Sequence, residues 1–208
     1  MALTKITAGG LADDSVVTAS VADSQVTLVK TSGVQTGWVK LESQTISSNV
    51  NEVDLTTGIG ATYFHYMITI TKLKMSTDAE NFQARLRIGG TWITSAYYHF
   101  HQAEATAATT APVTAESNAA SSIKISNTGN DTSERQNYNV FFAAANTTDN
   151  QKGIWWNGYG VKSSANTAFF NGAGGVDEAT YGALSGVRFF PSSGQIAEGT
   201  FALYGLIK

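Results

Sequence analysis

The sequence predicts an all-β protein, a jelly-roll-like β-sandwich of about ten strands preceded by an extended N-terminal arm. Three observations favour this fold. Short apolar segments alternate with polar residues at a period of two, which is typical of half-buried strands. Glycine, which supplies 20 of the 208 residues, and asparagine bracket these segments as turns require. No segment of the predicted sandwich shows the periodicity of a helix.

Residues 1–35 are predicted to form the arm, and residues 36–208 the sandwich domain. The arm repeats a short Leu/Val-Ala-Asp segment, at 11–16 and again at 21–26, and contains no aromatic residue. Such a segment has too little apolar surface to offset the entropy of ordering it, so it needs a partner surface. We therefore expect an extended anchoring arm. A disordered leader is one alternative, and a helix over 11–26 is another, which the Val and Thr content disfavours. The residues expected to make the anchoring contacts are Ile6, Leu11, Val16, Val21 and Val26.

The stretch at residues 81–101 organises the predicted domain. Apolar residues at 82, 84, 86 and 88 alternate with polar ones, as in a half-buried strand. Gly89 and Gly90 follow and tolerate the positive φ angles of a tight turn. The chain then returns through TWITSAYYHF, whose Thr, Ile and Tyr residues suit a pleated surface. This pattern predicts a β-hairpin with a long return strand.

The other predicted strands are short and separated by turn residues. The longest, at 63–73, is apolar on both faces in its first half and is therefore expected at the centre of a sheet. Residues 102–122 are rich in Ala and Thr and follow neither period, so they are predicted to form a long loop that is functional or packed against a partner. The remaining strands are expected at residues 38–43, 49–56, 122–127, 137–145, 154–162, 167–172, 187–192 and 199–208.

Composition and charge exclude several classes of function. Charged residues make up 14% of the chain, and the net charge of −3 gives no electrostatic reason to expect nucleic-acid binding. The chain has no cysteine, which excludes disulfides and thiolate metal sites. No apolar segment reads as a secretory signal or is long enough to span a bilayer. We expect a soluble protein synthesised in a reducing cytoplasm.

A metal site is the first chemical possibility. His99 and His101 lie two residues apart on a predicted strand, so both rings point the same way. With Glu104 they superficially resemble the first cupin motif, but the spacing departs from that motif and no second-motif histidine follows. A metalloenzyme stays an alternative on this basis. We interpret both histidines as polar members of an aromatic-rich strand, with no metal and no cofactor.

The sequence gives no positive indication of catalysis. No nucleophile elbow, phosphate-binding loop or EF-hand motif occurs. Paired carboxylates for glycoside cleavage need only meet in space, so sequence alone leaves them open. The available acids lie in predicted loops or turns, where a solvated side chain is the usual outcome. They are Glu104, Glu116, Asp131, Glu134, Asp149, Asp177, Glu178 and Glu198.

Aromatic residues are the candidates for ligand binding. Sugar rings are bound by aromatic stacking together with neutral hydrogen bonds, and residues 150–175 are rich in Gly, Asn and aromatics. The alternative for paired aromatics on strands is the core or a subunit interface. The candidate stacking residues are Tyr97, Tyr98, Trp155, Trp156 and Tyr159.

Both parts of the chain resemble exterior proteins of tailed bacteriophages. The leader KITAGGLADDSVVTASVADSQV resembles segments near the start of such proteins. The body resembles β-sandwich domains of tail-fibre-like virion proteins in five loose motifs: YFHYMITI, STDAEN, ARLRIGG, TWITSAYYHFH and ALYGLIK. The resemblance covers most of the chain, and its motifs are structural.

This resemblance implies a place on the virion exterior, a homotrimer, and attachment to other virion proteins through residues 1–35. The expected function is that of a non-enzymatic, tail-fibre-like structural protein involved in host attachment, made in the host bacterial cytoplasm. A capsid decoration protein and a carbohydrate-binding module are the alternatives. Host surface glycans are the expected external partner.

Overall fold

The computed structural model of this chain describes residues 37–95, 98–106, 113–143, 145–148, 152–163, 166–176 and 182–207. Within these ranges the backbone forms thirteen β-strands and no helix, so the all-β prediction is confirmed. No helix with the length and hydrophobicity to cross a membrane occurs in those ranges. The chain divides between Gly37 and Trp38, where the sandwich begins. The predicted arm and its anchoring residues lie outside the described residues, so its role stays a prediction.

The strands, in chain order, are β1 (Trp38–Ile46), β2 (Val53–Leu55), β3 (Tyr63–Met75), β4 (Glu80–Ile88), β5 (Thr91–Trp92), β6 (Tyr98–Thr106), β7 (Val113–Ala120), β8 (Ile123–Thr128), β9 (Gln136–Ala143), β10 (Lys152–Ser163), β11 (Asn166–Val176), β12 (Leu184–Pro191) and β13 (Ile196–Ile207). The large sheet has eight strands in the order β1-β13-β3-β9-β10-β11-β6-β7. The small sheet has the order β2-β12-β4-β5, and β8 also pairs with β4. All of these pairings are antiparallel. The two-sheet arrangement confirms the predicted β-sandwich.

The predicted hairpin is present, but its return strand is short. Gly89 and Gly90 have φ angles of 57° and 85°, which suit a type I′ turn between β4 and β5. Within the predicted return strand, only Thr91 and Trp92 form strand pairs with β4. From Tyr98 onward the chain belongs to the large sheet, where β6 pairs with β11 and β7. The prediction of one continuous return strand was therefore wrong, because its second half pairs with other strands.

The predicted loop at 102–122 is largely strand. Residues 102–106 complete β6, and 113–120 form β7; residues 107–112 lie outside the described ranges. Gln102 and Glu104 are buried, whereas Ala105 is exposed. The period of two is present here, but polar side chains point inward and alanines outward. Hydrophobic patterning cannot detect such a strand, which explains the wrong prediction.

The prediction of a long central strand is confirmed by β3. This strand lies between β13 and β9 in the interior of the large sheet. Tyr66, Ile68 and Ile70 are fully buried between the sheets. Tyr66 stacks on Phe142 of β9, with ring centroids 4.8 Å apart and planes 4° apart. This stacking and the burial of the aliphatic residues pack β3 into the middle of the core.

Three aromatic side chains of the large sheet make polar contacts with the small sheet. Tyr98 on β6 accepts a hydrogen bond from the Leu86 amide of β4 at 2.7 Å. The Tyr138 hydroxyl on β9 lies 2.6 Å from that of Ser126 on β8. The Trp156 indole on β10 donates to a backbone carbonyl of β8 at 3.1 Å. These contacts satisfy buried polar groups and fix how the two sheets face each other.

The buried tyrosines predict a loss of stability in alkali. Burial raises the pKa of Tyr98 to about 12, and it also raises the pKa of Tyr138. In the unfolded chain both hydroxyls ionise near pH 10, so between pH 10 and 12 the unfolded state binds fewer protons than the folded state. The contribution of these two tyrosines to the free energy of unfolding should therefore be constant well below pH 10 and fall above it, by up to about 2–3 kcal/mol from Tyr98 alone. Urea unfolding of wild type and Tyr98→Phe across this range checks the prediction.

The free energy of unfolding of the Tyr98→Phe variant should be lower than that of wild type at pH 7, because the Leu86 amide loses its acceptor. Above pH 10 it should then fall less steeply with pH. If the free energy of unfolding fell equally steeply with pH in the two proteins, the alkaline loss of stability could not be assigned to Tyr98.

Candidate functional site

The outer face of β10 carries two exposed aromatic residues with an amide between them. Trp155 is 45% exposed and Tyr159 58% exposed, and Asn157 is also exposed. Trp156 is only 2% exposed and points into the core. Since successive side chains of a strand point to opposite faces, the inward position of Trp156 places its neighbours on the outside. The face formed by the outward side chains of β9, β10 and β11 is called the β9–β11 face below.

A groove of about 960 Å³ lies beside Trp155 on this face. Gly153, Ala173 and Gly175 line its centre, where absent or short side chains leave a depression between larger neighbours. Trp155 forms one wall. It stacks on Phe141 of β9, with ring centroids 5.8 Å apart and planes 18° apart. This support from Phe141 holds the indole in place before any ligand arrives.

The opposite wall of the groove comes from β6 and β7. His99 and His101 both project from β6 into the groove, as their spacing predicted. His101 Nδ1 lies 3.6 Å from Glu116 Oε2 on β7, and both side chains are exposed. Asn118 adds an amide to the same wall. The groove therefore combines an indole platform with exposed hydrogen-bonding groups.

A row of three asparagines crosses the β9–β11 face next to Trp155. Asn139, Asn157 and Asn171 are direct cross-strand partners on β9, β10 and β11, and all three are exposed. One amide–amide hydrogen bond runs from Asn139 Nδ2 to Asn157 Oδ1, and it is long at 3.4 Å. The row therefore presents amide N–H and C=O groups to solvent.

Tyr159 and Phe169 form a second aromatic pair beyond the asparagine row. They are cross-strand partners on β10 and β11, and Phe169 is 63% exposed. A second groove of about 570 Å³ runs between this pair and the asparagines. Its described lining, which includes Thr71 and Asn137, contains no charged side chain.

Among the described residues, the histidine pair and the acidic residues do not assemble a metal centre. No group of three or more His, Cys, Asp or Glu side chains there is placed to hold a metal ion. Glu104, the third member of the cupin-like pattern, points inward and accepts a hydrogen bond from Lys162 Nζ at 2.5 Å. Burial, followed by the charge of Lys162, lowers the pKa of the neighbouring Lys124. Glu104 is thus part of an ion pair at the edge of the core, away from the histidines.

The outer surface of the small sheet carries Arg188, whose charge is paired within the protein. Arg188 binds Asp54 through two hydrogen bonds of 2.7 Å and contacts Glu52 at 2.8 Å. Its guanidinium also lies 4.5 Å from the centre of the Trp92 ring. An arginine with these partners has few donors left for a ligand.

The predicted ligand-binding aromatics separate into three groups. Trp155 and Tyr159 lie exposed on the β9–β11 face. Tyr98 and Trp156 are core residues that link the two sheets, which leaves them unavailable to a ligand. Tyr97 lies outside the described residues. The sequence analysis missed Phe141, Phe169 and the asparagine row, although Trp-x-Asn-x-Tyr on β10 and Phe-x-Asn-x-Ala on β11 carry the pattern at a period of two.

Comparison of the chain with protein-family models, with curated protein sequences and with solved structures found no match.

The adjacent tryptophans should differ sharply in their contribution to stability. Trp156→Ala should lower the free energy of unfolding by about 3–5 kcal/mol, because it empties a buried volume and leaves the Ile125 carbonyl without its donor. Trp155→Ala should lower it by about 1 kcal/mol, which is the contribution of one stacked aromatic pair. Urea unfolding of both variants checks this difference. Similar losses in the two variants would show that Trp155 packs as a core residue and is unavailable to a ligand.

Proposed function

We propose that this chain is a non-enzymatic, tail-fibre-like structural protein on the exterior of a tailed-bacteriophage particle, and that it attaches the particle to its host by binding surface glycans on the β9–β11 face. The observation that carries the proposal is the groove beside Trp155, in which an exposed indole faces His99, His101 and Asn118 across a floor of small residues. The virion context comes from the resemblance of the sequence.

The groove has the features that recognition of a sugar requires. The apolar face of a sugar ring stacks on an aromatic ring, and its hydroxyl groups need donors and acceptors at the side. Trp155 supplies a platform held by Phe141, and Asn118 supplies amide groups on the facing wall. Because the platform is already in position, little side-chain entropy is lost when a ligand binds.

The side chains that line the groove favour binding of a glycan without its cleavage. Glycoside hydrolysis generally requires two carboxyl groups on either side of the scissile bond. Among the described residues that line this groove, Glu116 is the only carboxylate, and it lies beside His101. Glu104 on the neighbouring strand points away into its ion pair with Lys162. This arrangement supports a binding protein over a glycosidase.

The arm and the oligomeric state belong to the same proposal. Residues 1–35 attach the protein to other virion proteins, and the sandwich associates as a homotrimer. Phe64, 59% exposed, lies with Leu206 and Ile207 along an apolar groove of about 740 Å³ that offers a surface for a second copy.

The trimer can be tested with the full-length chain. Light scattering should give a mass three times that of the 22.0 kDa chain. Phe64→Ala should shift the population toward smaller species, because the substitution removes the exposed ring from the subunit contact. A monodisperse monomer of the wild-type chain would contradict the trimer but would leave the glycan-binding proposal standing.

Host attachment predicts that the purified protein binds host cells through Trp155. Trp155→Ala should weaken binding about thirtyfold or more, since truncation of a central aromatic anchor costs about 2 kcal/mol or more. Trp92→Ala, which removes a tryptophan from the small sheet, is the matched control and should bind like wild type. Binding of labelled protein to host cells measures the effect.

The capsid-decoration alternative gives a different result in the same system. If the protein has no affinity for host cells, and particles that lack it still adsorb but lose their heads to heat or osmotic shock, host attachment is contradicted.

A further inference from the structure

We propose that the ligand of the β9–β11 face is a neutral polysaccharide chain that occupies two stacking subsites, one at Trp155 and one at the Tyr159–Phe169 pair, and that the asparagine row binds the chain between them. This inference rests on the proposed glycan-binding function and deepens it. It adds a second subsite, specifies the class of ligand, and states that the ligand runs along β10.

The spacing of the two subsites indicates an extended ligand. Trp155 and Tyr159 are four residues apart on the same side of β10, which places their Cα atoms about 13 Å apart. A single sugar ring cannot contact both platforms. A chain of several sugars that runs along β10 can stack on Trp155 at one end and on Tyr159 and Phe169 at the other.

The Tyr159–Phe169 pair has the exposure expected of a binding platform. Direct cross-strand partners have Cβ atoms about 4.5–5.5 Å apart, so the two side chains lie next to each other. Both are more than half exposed, at 58% and 63%. Two adjacent exposed aromatics cost solvation free energy in a free protein, and covering them with the apolar face of a sugar recovers it.

The asparagine row between the platforms suits hydroxyl groups. Asn139, Asn157 and Asn171 each carry an amide with two donors and an acceptor, which matches a hydroxyl that both donates and accepts. The one hydrogen bond within the row is long, at 3.4 Å, so a ligand hydroxyl competes with it easily. The chain of sugars therefore meets an aromatic platform, an amide row and a second aromatic platform in sequence.

The stretch between the two platforms is uncharged, which favours a neutral polysaccharide. At the Trp155 groove the exposed carboxylate of Glu116 disfavours an anionic ligand, and Lys152 is buried and donates to Thr147 Oγ1. The outward side chains of β9, β10 and β11 between the two platforms are aromatic, amide or small, and the second groove has no charged residue in its described lining. A carboxylate or sulfate of an acidic polysaccharide would lose water there without gaining a cationic partner. Neutral sugars lose only hydroxyl hydration, which the amides replace.

The same face fits a second protein copy less well. A subunit contact would bury the three asparagine amides, and each amide without a partner would cost about 1–3 kcal/mol. The apolar groove near Phe64 carries no such row of amides and is the better subunit surface. A glycan, with a hydroxyl on nearly every carbon, supplies partners for the row.

Binding of a length series of bacterial oligosaccharides tests this inference. Neutral and acidic O-chain and capsular fragments are displayed on an array, and the strongest neutral binder is then titrated by calorimetry as a short fragment and as a long chain. The full-length proteins are wild type, Trp155→Ala, the double variant Tyr159→Ala/Phe169→Ala, Asn157→Leu, and the control Trp92→Ala. All substituted side chains on the face are exposed, and circular dichroism confirms folding.

The long neutral chain should bind wild type at least about tenfold more tightly than the short fragment, because the second subsite is engaged intramolecularly. The Tyr159→Ala/Phe169→Ala variant should lose this advantage, so that it binds the long chain and the short fragment with similar affinity. Asn157→Leu should also weaken binding of the long chain. Trp155→Ala should weaken binding of both ligands.

Three results would overturn the inference. Binding that depends on Trp155 but is independent of length, and unchanged in the Tyr159/Phe169 variant, would remove the second subsite and leave the proposed function intact. Binding of acidic glycans alone would overturn the neutral class. A change in oligomeric state of the Tyr159/Phe169 variant, with glycan binding unchanged, would make the pair a subunit contact. The absence of any binding to the array and to host cells would instead contradict the proposed function itself.

Discussion

The inward packing of Trp156 determines what the large sheet presents to solvent. Its indole donates to the Ile125 carbonyl of β8 and lies against Gly172 of β11, where a Cβ atom would also stand only 2.5 Å from the His101 carbonyl oxygen. Gly172 therefore leaves room that no other residue at this position would leave. A slip of β10 by one residue would exchange its two faces, expose Trp156 and bury Trp155 and Tyr159. The core contact thus fixes the register on which the outer face depends.

The two outer surfaces of the sandwich differ in how their polar groups are satisfied. On the small sheet, Arg188 is held by Asp54 and Glu52 and lies over Trp92, so its charge is paired within the protein. On the large sheet, the β9–β11 face has neutral amides and exposed rings with few partners of their own. Charged groups that are paired within the protein have few hydrogen bonds left to offer a ligand, whereas exposed rings and open amides favour one. This contrast supports the proposed binding site on the large sheet.

The sequence was sufficient for much of the fold because hydrophobic alternation and glycine turns are local signals. The β4–β5 turn at Gly89 and Gly90 and the central position of β3 followed from such signals. Strands β6 and β7 could not be predicted from such signals. Gln102 and Glu104 point inward, and the burial of Glu104 depends on Lys162, which is 58 residues away in the chain. The site was predicted only in part for a similar reason. Trp155 and Trp156 are adjacent and chemically identical, so only the partners of Trp156 on β8 and β11 decide which of them faces solvent.

The central claim is that ligand binding takes place on the β9–β11 face, and chemical-shift mapping by NMR tests it most directly. Backbone and side-chain resonances of the isotope-labelled full-length protein are compared before and after addition of a polysaccharide prepared from the host surface. The account predicts that the largest changes fall on the Trp155 indole N–H, on the Asn157 and Asn171 side-chain amides and on the Tyr159 and Phe169 rings, while the Trp156 indole N–H changes little. Changes confined to the small sheet around Trp92 and Arg188, or no changes with a polysaccharide to which the particles adsorb, would contradict it.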